Sequence, residues 1–136
     1  MGFLDTYRAQ VYAMTRIAIG LLFTFHGAQK LFGVLGGAPG EMPAPLLYTA
    51  GGIELIGGAL VAVGLFARPA AFVCSGLMAV AYFMVHQPSG LFPIQNHGEL
   101  AAVYAWTFLL IAASGDGIWS LGSGTRDEAR PNAGAA

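Results

Sequence analysis

Four stretches of this chain are too long and too apolar to be the half-buried helices of a soluble domain, and little sequence lies outside them. They cover about residues 11–32, 46–66, 70–86 and 98–115. A helix needs about 20 mostly apolar residues, within about 17 to 25, to cross a bilayer. The first two satisfy this comfortably. The third and fourth stand at the short end, and are expected to tilt little or to be capped by half-buried loops. Composition agrees: 56% of the 136 residues are hydrophobic and only 10% charged, against about 25% charged in a soluble domain. A surface this poor in charge faces lipid.

The breaks between the runs carry turn chemistry. Residues 33–45 (GVLGGAPGEMPAP) form a Gly/Pro-rich loop, and Ala67, Arg68 and Pro69 read as a tight turn with Pro69 opening the third helix. Residues 87–96 (QPSGLFPIQN) form a second, semi-apolar loop. Short connections favour antiparallel neighbours. The expected fold is therefore all-α, an integral membrane antiparallel four-helix bundle over residues 11–122. A cytoplasmic segment, 1–10, precedes it, and a disordered cytoplasmic tail, 123–136, comes after it. Gly51, Glu54, Gly57 and Gly58 share one side of the second helix. Gly58 with Ala62 and Gly98 with Ala102 are small-xxx-small pairs that let backbones approach.

Orientation is set by the cations. With four spans both termini share a side, which holds Arg8, Arg16, Arg68, Arg126 and Arg130, while the other holds only Lys30. Lys and Arg collect in short cytoplasmic loops, so both termini are expected in the cytoplasm. Tyr7, Tyr12 and Trp119 then fall in the inner interfacial belt. The first ten residues lack the apolar segment of a cleavable signal, so the first span is expected to act as its own uncleaved signal. A net charge of −1 leaves no basic face for phosphates, which excludes nucleic acid as a partner. Cys74, the single cysteine, permits no intramolecular disulfide and reads as helix packing.

Ionisable groups inside spans cost about 2.5–3.5 kcal/mol each at mid-helix, so each needs a reason. His26 and Lys30 stand four apart near the outer end of the first helix. Glu54 lies about two turns below the outer end of the second. His86 closes the third helix at the outside, and His97 and Glu99 open the fourth. Gln29, Gln87, Gln95 and Asn96 add neutral polar groups at the same level. Convergence from four helices at one depth points to a shared pocket in the outer half of the bundle. The plainer alternative is a polar network that only fixes helix register, with Glu54 paired to Lys30 or a histidine. Arg16 and Arg68 lie at the inner end with Asp116; an Arg16–Asp116 pair would close that end, and all three read as structural. No Glu-x-x-His pair and no CxxCH site is present, which argues against metal or haem, although a bis-histidine haem through His26 and His86 is the form it would take.

The run over residues 16–33 (RIAIGLLFTFHGAQKLFG), the run over 52–69 (GIELIGGALVAVGLFARP), the third span ending at His86, and Asn96-His97-Gly98-Glu99-Leu100 resemble the DoxX family in order and spacing. The resemblance covers about residues 11–122. It implies a four-helix protein of the bacterial inner (plasma) membrane, in a family named from a subunit of a thiosulfate:quinone oxidoreductase. Arg16, His26, Lys30, Glu54, Arg68, His86 and Glu99 match the family pattern. The chain departs from the named enzyme as a lone short bundle, which argues against thiosulfate as its substrate.

Two functions stand as expectations. One is a membrane redox component that binds a quinone or similar small hydrophobic ligand in the outer pocket, as a subunit of an oxidoreductase. His26, Glu54 and His86 would be its catalytic groups, and Lys30, Gln29, His97 and Glu99 its ligand-binding groups. The other is a non-enzymatic membrane scaffold, or small-molecule carrier, for a soluble or membrane oxidoreductase partner. Homodimerisation suits the glycine faces in either case.

Overall fold

The computed structural model describes residues 2–37 and 40–122, and the tail expected over 123–136, with Arg126 and Arg130, lies outside them. All regular structure among the described residues is helical. After a short turn of helix, α1 (Phe3–Thr6), come α2 (Arg8–Phe32), α3 (Ala44–Val63) and α4 (Ala67–Ala81). The α4 helix continues as a π-helical turn over Tyr82–His86 and a 3₁₀ turn over Gln87–Ser89. A single turn, α5 (Pro93–Asn96), then leads into α6 (Glu99–Ser114). Three of the helical runs, Arg8–Phe32, Ala44–Val63 and Ala67–Ser89, are long and apolar enough to cross a membrane. The fourth, α6, is apolar but has 16 residues, so it rises about 24 Å at about 1.5 Å per residue, short of the ~30 Å hydrocarbon core.

Glycine determines which helices touch most closely. A Cβ on Gly20 would come within 2.5 Å of the Ala62 backbone nitrogen and 2.7 Å of the Gly58 carbonyl. One on Gly27 would strike the backbone of Leu55, and come within 2.7 Å of the Gly51 carbonyl. Gly20 and Gly27 of α2 thus oppose Gly58 and Gly51 of α3, and the two antiparallel backbones lie in direct contact. Helix α3 meets α4 where Gly57 faces the Cys74 sulfur. Helix α4 meets α6 where Ser75 Oγ donates to the Ala105 carbonyl at 2.8 Å. Between α2 and α6 large rings intervene instead: Phe23 packs edge-on to Phe108 at 4.6 Å and against Tyr104 at 5.2 Å. The interior is therefore two tight helix pairs joined through α3 and α4 and held apart by aromatic side chains on the remaining side.

Two expected boundaries move. Ala67, Arg68 and Pro69 are the first turn of α4 rather than the connection, and Ala67 is fully buried. The reversal is made one step earlier, by Gly64 and Phe66, both at positive φ (70° and 50°). Pro69 still sits where a missing N–H costs nothing. The expected loop over 87–96 is largely helical, because Pro93 opens a turn and Asn96 anchors it.

The end of the bundle where α3 stops is closed by Arg16, which has no exposed surface. Its guanidinium donates to the carbonyls of Val61 (2.6 Å) and Ala62 (2.7 Å) in the last turn of α3. It also donates to Ile118 (3.3 Å) and Trp119 (2.8 Å) beyond α6. Asp116 is buried close enough to Arg16 to act on it electrostatically. Tyr12, expected at the interface, turns partly inward and its hydroxyl donates to the Gly115 carbonyl. Tyr7 and Trp119 are exposed.

Candidate functional site

At the Lys30 end the gap between the helix pairs opens into a cavity of about 370 Å³, within the ~300–1,000 Å³ usual for ligand pockets. Its polar lining comes from four parts of the chain: His26 and Lys30 on α2, Glu54 on α3, His86 at the end of the π turn, and His97 before α6. Phe23, Met78, Ala81, Val85, Leu100, Ala101 and Tyr104 supply apolar wall, and Met42 reaches it from the loop between α2 and α3.

Lys30 and Glu54 form an ion pair deep in this wall, Nζ to Oε1, with side chains 13% and 2% exposed. The other carboxylate oxygen, Oε2, is buried and has no hydrogen-bond partner among the described residues. Burial without a partner is expensive for a carboxylate, and this atom belongs to a residue that lines the cavity.

His86 is held by its neighbours. Its Nδ1 lies 3.2 Å from the Asn96 carbonyl. A carbonyl only accepts, so Nδ1 carries the proton, and in the neutral ring Nε2 is left an acceptor. Asn96 itself is 3% exposed. Its amide nitrogen donates to the Gly90 carbonyl (2.9 Å) and the Tyr82 hydroxyl (3.3 Å), and its side-chain oxygen accepts from the Gly98 N–H (2.8 Å). This one side chain ties the end of α4 to the start of α6. The π turn contributes as well, because an extra residue in the turn rotates the residues beyond it. His26 packs edge-on to Tyr104 with centroids 6.0 Å apart.

Other residues expected at the site lie elsewhere. Gln29 donates to the Leu35 carbonyl at 3.1 Å and faces a small groove with Leu22, Phe25 and Leu35, which shares only His26 with the cavity. Glu99 is exposed in the first turn of α6, outside the cavity lining. Arg68, expected as a structural residue at the end away from the cavity, is exposed there beside Gly115. Among the described residues no three His, Cys, Asp or Glu side chains converge as metal ligands. Two residues play parts that the sequence does not reveal. Tyr104 lies four residues before Phe108 on a mostly apolar helix, and the role of Asn96 depends on a loop closure that spacing alone does not reveal.

A family model described as DoxX matches residues 11–87. A protein of Haemophilus influenzae, described as uncharacterized, is 39% identical over 127 residues, which span 89% of this chain and 95% of that one. No solved structure matches the chain.

Proposed function

This chain belongs to the DoxX family of membrane proteins, and on that premise we propose that it is a redox component that binds a quinone-like ligand in the outer cavity. It acts there as a subunit of an oxidoreductase. The observation that carries the reading is the buried Lys30–Glu54 pair in the cavity wall, with one carboxylate oxygen unpartnered among the described residues.

Converting a quinone to its quinol places two electrons and two protons on the ring oxygens, and the electrons come from a partner oxidoreductase. The residues here supply the rest. His26 donates to a ring oxygen, the Lys30 ammonium stabilises negative charge arriving there, and Glu54 passes protons to it. Glu99, on the water side of α6, stands where a proton would enter. The ring lies against Phe23 and Tyr104, and the loose contact between α2 and α6 is its way in from the bilayer.

In this reading α6 is the fourth span, despite its length, and the bundle is antiparallel. Arg8, Arg16 and Arg68 lie at the end opposite Lys30, so both termini face the cytoplasm of a bacterial inner membrane.

The test is to identify what copurifies with the protein in mild detergent, by solvent extraction and mass spectrometry. A quinone in near-stoichiometric amount, lost in His26→Ala, supports the reading. Phospholipid alone in both proteins overturns it, and leaves a scaffold or carrier for a partner oxidoreductase.

A further inference from the structure

We propose that the cavity selects a ligand that donates hydrogen bonds, an apolar ring bearing phenolic hydroxyls, over the same ring bearing carbonyls or ethers. This deepens the quinone-site reading and rests on it, and Glu54 Oε2 is the atom that makes the choice. Glu54 is 2% exposed and lines the cavity. Its Oε1 is taken by Lys30, while Oε2 is buried with no partner among the described residues. A salt-bridged carboxylate oxygen can only accept, so the group that completes it must bring an O–H or N–H.

A second acceptor belongs to the same lining. The Nδ1 proton of His86 is committed to the Asn96 carbonyl, so Nε2 of the neutral ring accepts. The two groups come from different helices and border one cavity of about 370 Å³. A ring with hydroxyls at opposite ends matches two separated acceptors. A ring with carbonyls there presents lone pairs to lone pairs. Phe23, Met78 and Tyr104 supply the apolar wall that such a ring needs. The site therefore holds the reduced, hydroxyl form of its ligand more tightly than the oxidised form.

Isothermal titration of the full-length protein in detergent micelles, with empty micelles as the blank, tests this using 4-butylphenol, its methyl ether and butyl-1,4-benzoquinone. The native protein is expected to bind the phenol at least about tenfold more tightly than the ether, the factor one satisfied buried acceptor supplies. In Glu54→Gln the Lys30 ammonium keeps the amide oxygen, which puts the amide NH₂ at the Oε2 position. The phenol preference then falls below about threefold and the benzoquinone gains affinity. Equal binding of phenol and ether by native protein, or an unchanged preference in Glu54→Gln, overturns the donor rule and leaves a ligand site standing. Binding of none of the three overturns both readings. If Glu54→Gln does not accumulate, the native comparison decides alone.

Discussion

Two buried charged residues divide the work of this molecule, and their partners differ in kind. Arg16 meets four backbone carbonyls with two nitrogens. The Val61 and Ala62 carbonyls end α3, where a helix lacks internal partners and carries partial negative charge, and the other two lie in the segment after α6. A planar guanidinium can serve several acceptors at once, and a lysine ammonium cannot match that geometry. Arg16→Lys is therefore expected to lower stability by about 2–4 kcal/mol, from the loss of two charge-assisted bonds. Unfolding by denaturing detergent, followed by circular dichroism, reads this, and an unchanged midpoint would refute the clasp. Glu54 also keeps one atom over among the described residues, its Oε2, as Arg16 does its Nε, but Glu54 lines the cavity. Glu54→Gln is expected to cut quinone-linked turnover about hundredfold or more, the share one proton-transfer group supplies, while leaving the helical spectrum intact. The sequence made both residues conspicuous, because charge inside an apolar run has no cheap explanation. It could not supply the partners of Arg16, since backbone carbonyls have no signature in the sequence. The Lys30 partner of Glu54 was legible, being a charge at matching depth on the neighbouring helix.

Among the elements, the close pairing of α2 with α3 depends on glycines whose absent side chains leave room for backbone. Gly27→Ala places a methyl group on the Leu55 backbone and near the Gly51 carbonyl, neither of which can rotate away. The expected cost is about 1–3 kcal/mol, with a lower yield of folded protein. Gly76 of α4 has nothing within 4 Å of its Cβ position, so Gly76→Ala is expected to be neutral or to stabilise by up to about 1 kcal/mol. A loss at Gly76 as large as that at Gly27 would refute the contact argument, since helix propensity favours alanine at both positions. The same kind of reasoning applies to the joint between α4 and α6. Asn96→Ala removes three side-chain hydrogen bonds at about 1 kcal/mol each, and loosens the turn whose main-chain carbonyl holds His86. Faster amide exchange over residues 87–98 is the expected readout, together with weaker ligand binding. Helix existence was legible because apolar runs of this length have few alternatives. The π turn, the positive-φ residues Phe66 and His97, and the start of α4 at Ala67 were not, because they answer to tertiary closure rather than local propensity.

For the whole molecule the open question is how it sits in the bilayer, and the charge distribution makes a definite demand. Lys30 is the cation at the cavity end and is occupied by Glu54, so among the described residues no free Lys or Arg there opposes translocation of that end. Arg8 is exposed near the amino terminus and Arg68 at the start of α4. Both stand at the opposite end of the long helices, where Lys and Arg hold a segment in the cytoplasm. The cavity end also presents Leu35, Leu91 and Ile94, exposed by 65%, 71% and 73%, on loops that would meet the headgroup layer. A Cys74→Ser background removes the single cysteine. In it, Leu35→Cys and Ile94→Cys are expected to react with a membrane-impermeant maleimide added to intact spheroplasts. Trp119→Cys, at the other end and 59% exposed, is expected to react only after permeabilisation. The converse labelling would invert the protein, bring the cavity to the cytoplasmic leaflet, and place its proton supply and electron donor on that side. Labelling of Leu35→Cys and Trp119→Cys from the same side would mean that α6, at 16 residues, does not cross. The short last helix would then be a re-entrant wall of the cavity rather than a span.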